Sequence, residues 1–428
     1  MSTDKPPVVP RQYLFAFILL TTCFAAWGAA NNMTDPLVKV FSRIFSMTNL
    51  QGALVQFSFY GAYFCLALPA ALIIKRFSYK TGVLTGLGLF ILGALLFYPA
   101  SQTMTYVHFL LAIYILASGL SILETSCNPY IISLGDERTA TQRLNLAQSF
   151  NPIGSNIGVF LAATFILPKV NPATDAEREV LASTDPAALE AIQRAELSAV
   201  MGPYVTMACV LLVFWLAIAF TRMPAASDAS KHIDFFPTLR RLFRNSHYAF
   251  GVVAQFFYVA AQICVWTFLI QYATLVLDFT EETAGWYLQA SIIIFLVFRF
   301  ICTALMRMIR PSAMLVVMSG LAAALALYAI TFPGLSGLWA IVGISACMSL
   351  MFPTIYGIAL QGLGEDTKIG AAGLVMAILG GALFPLVQAR IIDTVSANAS
   401  YIVPFVCFIV VAAYAIFDLR KLRVAHGS

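Results

Sequence analysis

Glu124, in ASGLSILETSCNPY, and Arg299, in IFLVFRFICT, are ionisable residues set deep inside runs that otherwise carry no charge. A charge at the centre of a bilayer costs at least ~2.5–3.5 kcal/mol, so such a residue is by default a functional candidate facing protein or water. Glu124 lies about ten residues, roughly 15 Å, from the end of its run, close to mid-membrane. Desolvation penalises the ionised carboxylate, so the group is neutral when occluded and ionises when water reaches it, as a proton carrier must. The plainer readings are a glutamic acid hydrogen-bonded for packing, or one paired with Arg299. The cost of keeping a carboxyl at this depth favours coupling. Arg299 admits three readings: a charge partner for Glu124, a donor to sugar hydroxyls, or a side chain snorkelling to the nearby end of its helix.

A third carboxyl, Asp35, follows Trp27 and Asn31 at steps of four, so the three share one helix face, with Asn32 beside them and Pro36 just beyond. Taken alone, Asp35 serves equally as a cap at the outer end of its helix. Amides line up elsewhere. Asn145, Gln148, Asn151, Pro152 and Ser155 recur at three- and four-residue spacing, as do Gln255, Tyr258, Gln262 and Trp266. Single membrane amides are explained by helix-to-helix hydrogen bonds worth ~0.6–2 kcal/mol. Stripes of amide plus aromatic suit a sugar better, because hydroxyls need donors and acceptors while C–H faces stack on Trp or Tyr. Asn128, one turn beyond Glu124, joins these candidate contacts. No arginine cluster awaits a phosphate or carboxylate.

The elements that must position these groups are membrane helices. The chain has 428 residues, is 60% hydrophobic and only 11% charged, far below the quarter typical of soluble domains. About twelve apolar runs match the ~20 residues needed to cross ~30 Å of hydrocarbon. They fall at 13–34, 50–74, 81–100, 106–133, 143–168, 200–221, 248–275, 283–306, 312–332, 338–361, 368–391 and 400–418. Lys and Arg gather on one side of these spans, leaving Lys39, Arg43, Lys169, Arg178, Arg194 and Arg390 on the other, which places both termini in the cytoplasm. The net charge of +5 reflects that topology and contact with an anionic leaflet, and gives no reason to propose nucleic-acid binding. All eight cysteines fall in spans without a CxxC pair, and HExxH is absent, so neither a metal site, a disulfide framework nor an intramembrane metalloprotease is expected.

A polar outside stretch, 169–199, contains AALEAIQRAELSA, readable as a short surface helix. The longest inside loop, 222–247, divides the spans six and six: a half over 1–222 bearing the coupling carboxyls, a linker at 223–247 and a half over 248–428. SLGDERT after the fourth span echoes GLGEDTK after the tenth, and prolines in NPY and FPT are expected to interrupt both preceding helices. Two such halves, related by an axis along the membrane normal with substrate between them, describe the major facilitator architecture.

AANNMTD, KRFSYKTG, LETSCNPY, RLNLAQSFN, MFPTIYGIALQGLGEDTKIG and ILGGALFP, in this order and spacing, resemble the fucose/galactose/glucose:proton symporters of the major facilitator superfamily over nearly the whole chain. Gln262 and Trp266 match the fucose branch, whereas MFPTIYGIALQGLG looks more like the glucose/galactose branch. The resemblance implies an all-α, twelve-span inner-membrane transporter, monomeric and without cofactor, that brings in a neutral monosaccharide with protons. Protonation sites would be Asp35 and Glu124. Sugar contacts would include Gln148 and Asn151, with Trp27, Asn31, Asn32, Asn128, Tyr258, Gln262 and Trp266 completing the set. Pro36, the SCN after Glu124 and the missing acid in KRFSYKTG depart from the family pattern. L-Fucose is the first substrate expected; glucose, galactose or an amino sugar, with sodium as the other coupling ion, is the alternative. A drug exporter or a membrane sugar sensor follows behind. An intramembrane enzyme would need a nucleophile–base pair or metal motif, and none is present in the sequence.

Overall fold

The computed structural model describes residues 6–44, 49–161, 164–165, 171, 175–224 and 234–427, and all regular structure among them is helical. The first group comprises α1 (Leu14–Ile44), α2 (Asn49–Arg76), α3 (Tyr79–Thr103), α4 (Tyr106–Ser133), α5 (Ala140–Gln148), α6 (Phe150–Leu161), α7 (Asp175–Thr184) and α8 (Pro186–Phe220). After α9 (Phe235–Arg244) come α10 (Ser246–Leu277), α11 (Glu281–Leu305), α12 (Pro311–Thr331) and α13 (Leu335–Met348). The chain closes with α14 (Met351–Ala359), α15 (Thr367–Met376), α16 (Gly380–Thr394) and α17 (Ile402–Gly427). Helices α1–α8 pack among themselves and α10–α17 among themselves, and the two groups meet where α14 abuts α5 and α15 abuts α2. The face bearing the α4–α5 and α14–α15 turns is called lower below.

The surface is inverted relative to a soluble protein. Phe57, Phe160, Phe220 and Leu386 are exposed, whereas Ser121, Thr125, Asn128, Asn145 and Gln255 are buried. That pattern fits hydrocarbon outside and polar pairing inside. Eleven helical stretches among the described residues are long and apolar enough to span a membrane. The remaining run, 143–168, is divided into α5 and α6, which turn about Ser149.

Small residues let backbones touch. A Cβ on Gly154 would lie 1.8 Å from the Ala25 carbonyl oxygen, and one on Gly28 2.1 Å from that of Asn151, so α1 and α6 pack main chain to main chain. Gly119 does the same for α4 against Phe90 of α3, with a Cβ there 2.4 Å from the Phe90 nitrogen.

Helix breaks follow some prolines and not others: as expected, Pro353 of FPT lies in the first turn of α14, just past a break, and Pro152 lies likewise in the first turn of α6. Pro129 does not interrupt α4, which continues to Ser133. A proline removes one ladder bond, and a membrane helix walled in by neighbours tolerates that loss. The breaks are at Ser149, between α13 and α14 at Ser349–Leu350, and over the 3-10 turn Ala377–Leu379 between α15 and α16. Both serines turn back on their own helices, Ser149 Oγ donating to Asn145 O at 2.7 Å and Ser349 Oγ to Ala346 O at 2.7 Å, while the carbonyls that Pro152 and Pro353 leave without a donor are those of Gln148 and Ser349.

Two polar segments also differ from expectation. The stretch 187–199 is no separate surface helix, because α8 runs through it for 35 residues, roughly 52 Å, and so overreaches the ~30 Å core on the upper side. There α7 is clasped to α8 by a buried bidentate pair, Arg178 to Glu196, at 3.1 and 2.5 Å. Breaking one partner of a buried pair costs about 3–5 kcal/mol. Glu196→Ala is therefore expected to lower thermal stability strongly, and Arg178→Ala in the same chain to restore part of the loss; additive damage would show the pair to be incidental. The linker contains α9, whose Phe235, Leu239 and Leu242 share one face opposite Arg241 and Arg244, the pattern of a helix lying in the membrane interface. Arg241 holds Asp366 with bonds of 2.9 and 2.7 Å.

Arg143, read from sequence as one of the charges on the cytoplasmic side, is fully buried. Its guanidinium donates to the carbonyls of Val8 (3.0 Å), Ile131 (2.8 Å) and Ile132 (2.5 Å) and to Thr139 Oγ1 (3.1 Å), knitting the α4–α5 turn to the segment before α1.

Candidate functional site

A cavity of about 220 Å³ lies between the two helix groups, walled by both. From the first come Trp27 of α1, Phe59, Tyr60 and Tyr63 of α2, Glu124 of α4, and Gln148, Asn151, Pro152 and Ser155 around the Ser149 break. From the second come Val259, Gln262, Ile263 and Trp266 of α10, Ile292, Phe295 and Arg299 of α11, Phe352 of α14, and Ile378 in the α15–α16 turn. All three broken spans thus reach the wall. Interrupted helices are tolerated at membrane depth where they border protein or a water-filled cavity, and they supply backbone groups to it.

Nine of the residues singled out from sequence meet in this wall: Trp27, Glu124, Gln148, Asn151, Pro152, Ser155, Gln262, Trp266 and Arg299. Two stand behind it. Asn128 is buried and accepts a 2.8 Å bond from Gln148 Nε2, which orients the glutamine. Tyr258 donates to Met348 O at 3.0 Å, at the end of α13. Asn31, Asn32 and Asp35 lie on α1, but their side chains lie outside the described residues. The sequence reading missed Tyr60 and Tyr63; in FSFYGAYF they sit three apart on one face, a signal hidden by the aromatic residues around them.

The polar groups are held firmly. Trp266 Nε1 donates to Ser345 Oγ at 3.0 Å, Ser345 pairs with Ser291 at 2.5 Å, and the indole meets Phe295 edge-on at 5.0 Å. Asn151 Nδ2 donates to Phe24 O at 3.3 Å. Glu124 differs. Both its carboxyl oxygens are buried and neither has a hydrogen-bond partner among the described residues, nor has the neighbouring Trp27 Nε1. Burying an ionised carboxylate without partners is costly, which sets Glu124 apart from the other polar groups of the wall.

Arg299 does not pair with Glu124. Nη1 donates to Gln148 O at 3.0 Å, Nε donates to Ser349 O, and the guanidinium lies 4.8 Å over the Phe295 ring. The carbonyls freed where α5 and α13 end give its donors a closer use than a carboxylate across the cavity.

Below the cavity the groups are joined by Asn145 Nδ2 to Thr354 Oγ1 at 3.2 Å, Gln142 Nε2 to Thr303 O at 3.0 Å and Gly362 N to Glu137 Oε1 at 3.1 Å. Gly357 lies against Thr141, where a Cβ would come within 2.8 Å of its hydroxyl. Above it, Gln289 Nε2 reaches Asn156 Oδ1 at 3.2 Å. The lower floor is closed by interdigitated backbone and side chain.

The sequence pattern of the Major Facilitator Superfamily matches residues 18–385. The chain belongs to that superfamily. Among major facilitators, it is 42% identical to an L-fucose-proton symporter of Haemophilus influenzae over 426 residues, 97% of this chain and 99% of the relative. It is 32% identical to a glucose/galactose transporter of Brucella abortus over 413 residues, 96% of each. The crystal structure of the major facilitator FucP in the outward conformation superposes with a TM-score of 0.89 at 37% identity, covering 95% of this chain and 99% of that one. The two helix groups are thus the two six-span halves of a major facilitator, and its relatives are transporters rather than enzymes.

Proposed function

We propose that this major facilitator carries L-fucose into the cell together with protons by alternating access. The observation that carries the reading is Glu124, without a hydrogen-bond partner among the described residues, at the wall of a cavity rich in amides and aromatic faces. Near-full-length likeness to L-fucose-proton symporters supports it. The lower face is the cytoplasmic one and the membrane the bacterial inner membrane, with the protein acting as a monomer that needs no cofactor beyond the proton gradient. The halves divide at 1–222 and 248–428 about the linker.

In this reading Asp35, in the outer part of α1 and nine residues before its end, takes a proton from outside. The neutralised site closes around sugar held by Gln148, Asn151 and the α10 face, with Trp27 and Trp266 stacking on its C–H faces. Glu124 ionises once the halves rock open to the cytoplasm. A deprotonated, uncompensated carboxylate resists burial by several kcal/mol, and that penalty ties sugar movement to proton movement. The closed lower floor corresponds to the outward state.

Purified protein in liposomes loaded with a pH dye tests this against L-fucose, D-galactose, D-glucose and N-acetylglucosamine. L-Fucose should acidify the lumen, and Asp35→Asn should abolish that signal while leaving sugar binding. Acidification unchanged in Asp35→Asn would remove Asp35 from the mechanism. A response to glucose and galactose instead would favour the second reading, which the 32% identity to a glucose/galactose transporter supports. Uptake restored only by sodium would replace the coupling ion.

A further inference from the structure

We infer that Arg299 is the link between cargo and gate: one edge of its guanidinium reads the cavity while the other locks the lower floor. The inference rests on the transport reading above but starts from an independent geometry. Nη1 donates to Gln148 O, where α5 ends in the first half, and Nε donates to Ser349 O, in the α13–α14 break of the second. One side chain thus ties the broken helix of each half to the other. Arg299 also borders the cavity, and its Nη2 makes no hydrogen bond to the described residues. The rigid planar fork makes both duties possible at once, since donors on adjacent edges of a plane cannot be redirected independently. A hydroxyl taken up by Nη2 turns the whole plane, so cargo in the cavity alters the two bonds that hold the floor.

A native reporter sits beside the lock. Cys302, one turn along α11 from Arg299, is fully buried and lies 4.0 Å from Ser349 Oγ. Its alkylation by N-ethylmaleimide, followed by peptide mass mapping to separate it from the other seven cysteines, reads opening of the floor. Arg299→Lys keeps the charge but loses the fork, and Arg299→Gln loses both. Each should label at Cys302 at least about tenfold faster than the parent without sugar. In the parent, L-fucose should change the labelling rate; in Arg299→Lys, with sugar raised until its weaker binding saturates, the rate should stay unchanged. Asn145→Ala, which removes a different bond between the halves, should also label faster but keep its response to sugar.

Equal labelling in parent and Arg299 variants would overturn the lock. A sugar response retained in Arg299→Lys would overturn the link. Failure of the parent itself to respond to any of the four sugars would count against the transport reading instead, while the sugar-free rates still decide the lock. Thermal unfolding of each variant separates faster labelling through gate opening from faster labelling through general instability.

Discussion

Glu124→Gln should reduce sugar-evoked acidification of liposomes to background while counterflow of unlabelled against labelled sugar stays within about threefold of the parent. The amide fills the same space and is neutral at every pH, so the halves can still close. A penalty of about 3 kcal/mol for closing over a bare carboxylate corresponds to roughly 100-fold in the closing equilibrium, and the variant lacks that penalty. Parent uptake should fall as the outside pH rises from 5 to 8, and the variant should be flat. The exposed charged pair of the α4–α5 turn does not confuse this readout. Arg138 beside Asp136 holds that carboxyl well below its usual range, at about 2. A depressed carboxylate contributes above its ordinary value and loses its contribution only as pH falls through about 2, so this pair is constant across the window. Persistent coupling in Glu124→Gln would move the proton site elsewhere.

Gly154→Val should be among the most damaging single substitutions in the chain. Its Cβ would begin 1.8 Å from Ala25 O, and the main chain of α1 cannot yield without carrying Trp27 out of the cavity wall. Overpacking of this kind costs about 3 kcal/mol or more. Gly202→Val is the matched control, since nothing lies within 4 Å of a Cβ there. Thermal unfolding in detergent and sugar binding should both collapse for Gly154→Val and remain at parent values for Gly202→Val. Similar behaviour of the two would mean that the α1–α6 contact does not set the site.

The spans were legible because hydropathy over some twenty residues is a collective signal that no single residue can spoil. Breaks are single-residue events. Pro129 announces one and produces none, while Pro152 and Pro353 lie one turn past two that do form, because the outcome depends on whether neighbouring helices and side chains answer the carbonyls a proline frees. Trp27, Glu124, Gln148, Asn151, Gln262 and Trp266 stood out as polar or amphipathic residues in apolar runs, and they converge on one cavity. Tyr60 and Tyr63 did not stand out, because a tyrosine in a membrane helix has several ordinary uses. Asn128 and Tyr258 share helices with cavity residues but turn to protein partners, a distinction of rotation and packing that spacing does not carry. Arg299 could be ranked as a candidate from its depth alone. Its partners are main-chain oxygens four residues before Pro152 and Pro353, and only folding brings the two within reach of one side chain.

The burial of Arg143 has a practical side. Its bond to Val8 O makes the few residues ahead of α1 a structural strut rather than a free leader. An affinity tag spliced upstream of Pro6 leaves that strut in place. A shortened version starting at Arg11 would strip one acceptor from a buried arginine, loosening the turn from which the lower gate hangs.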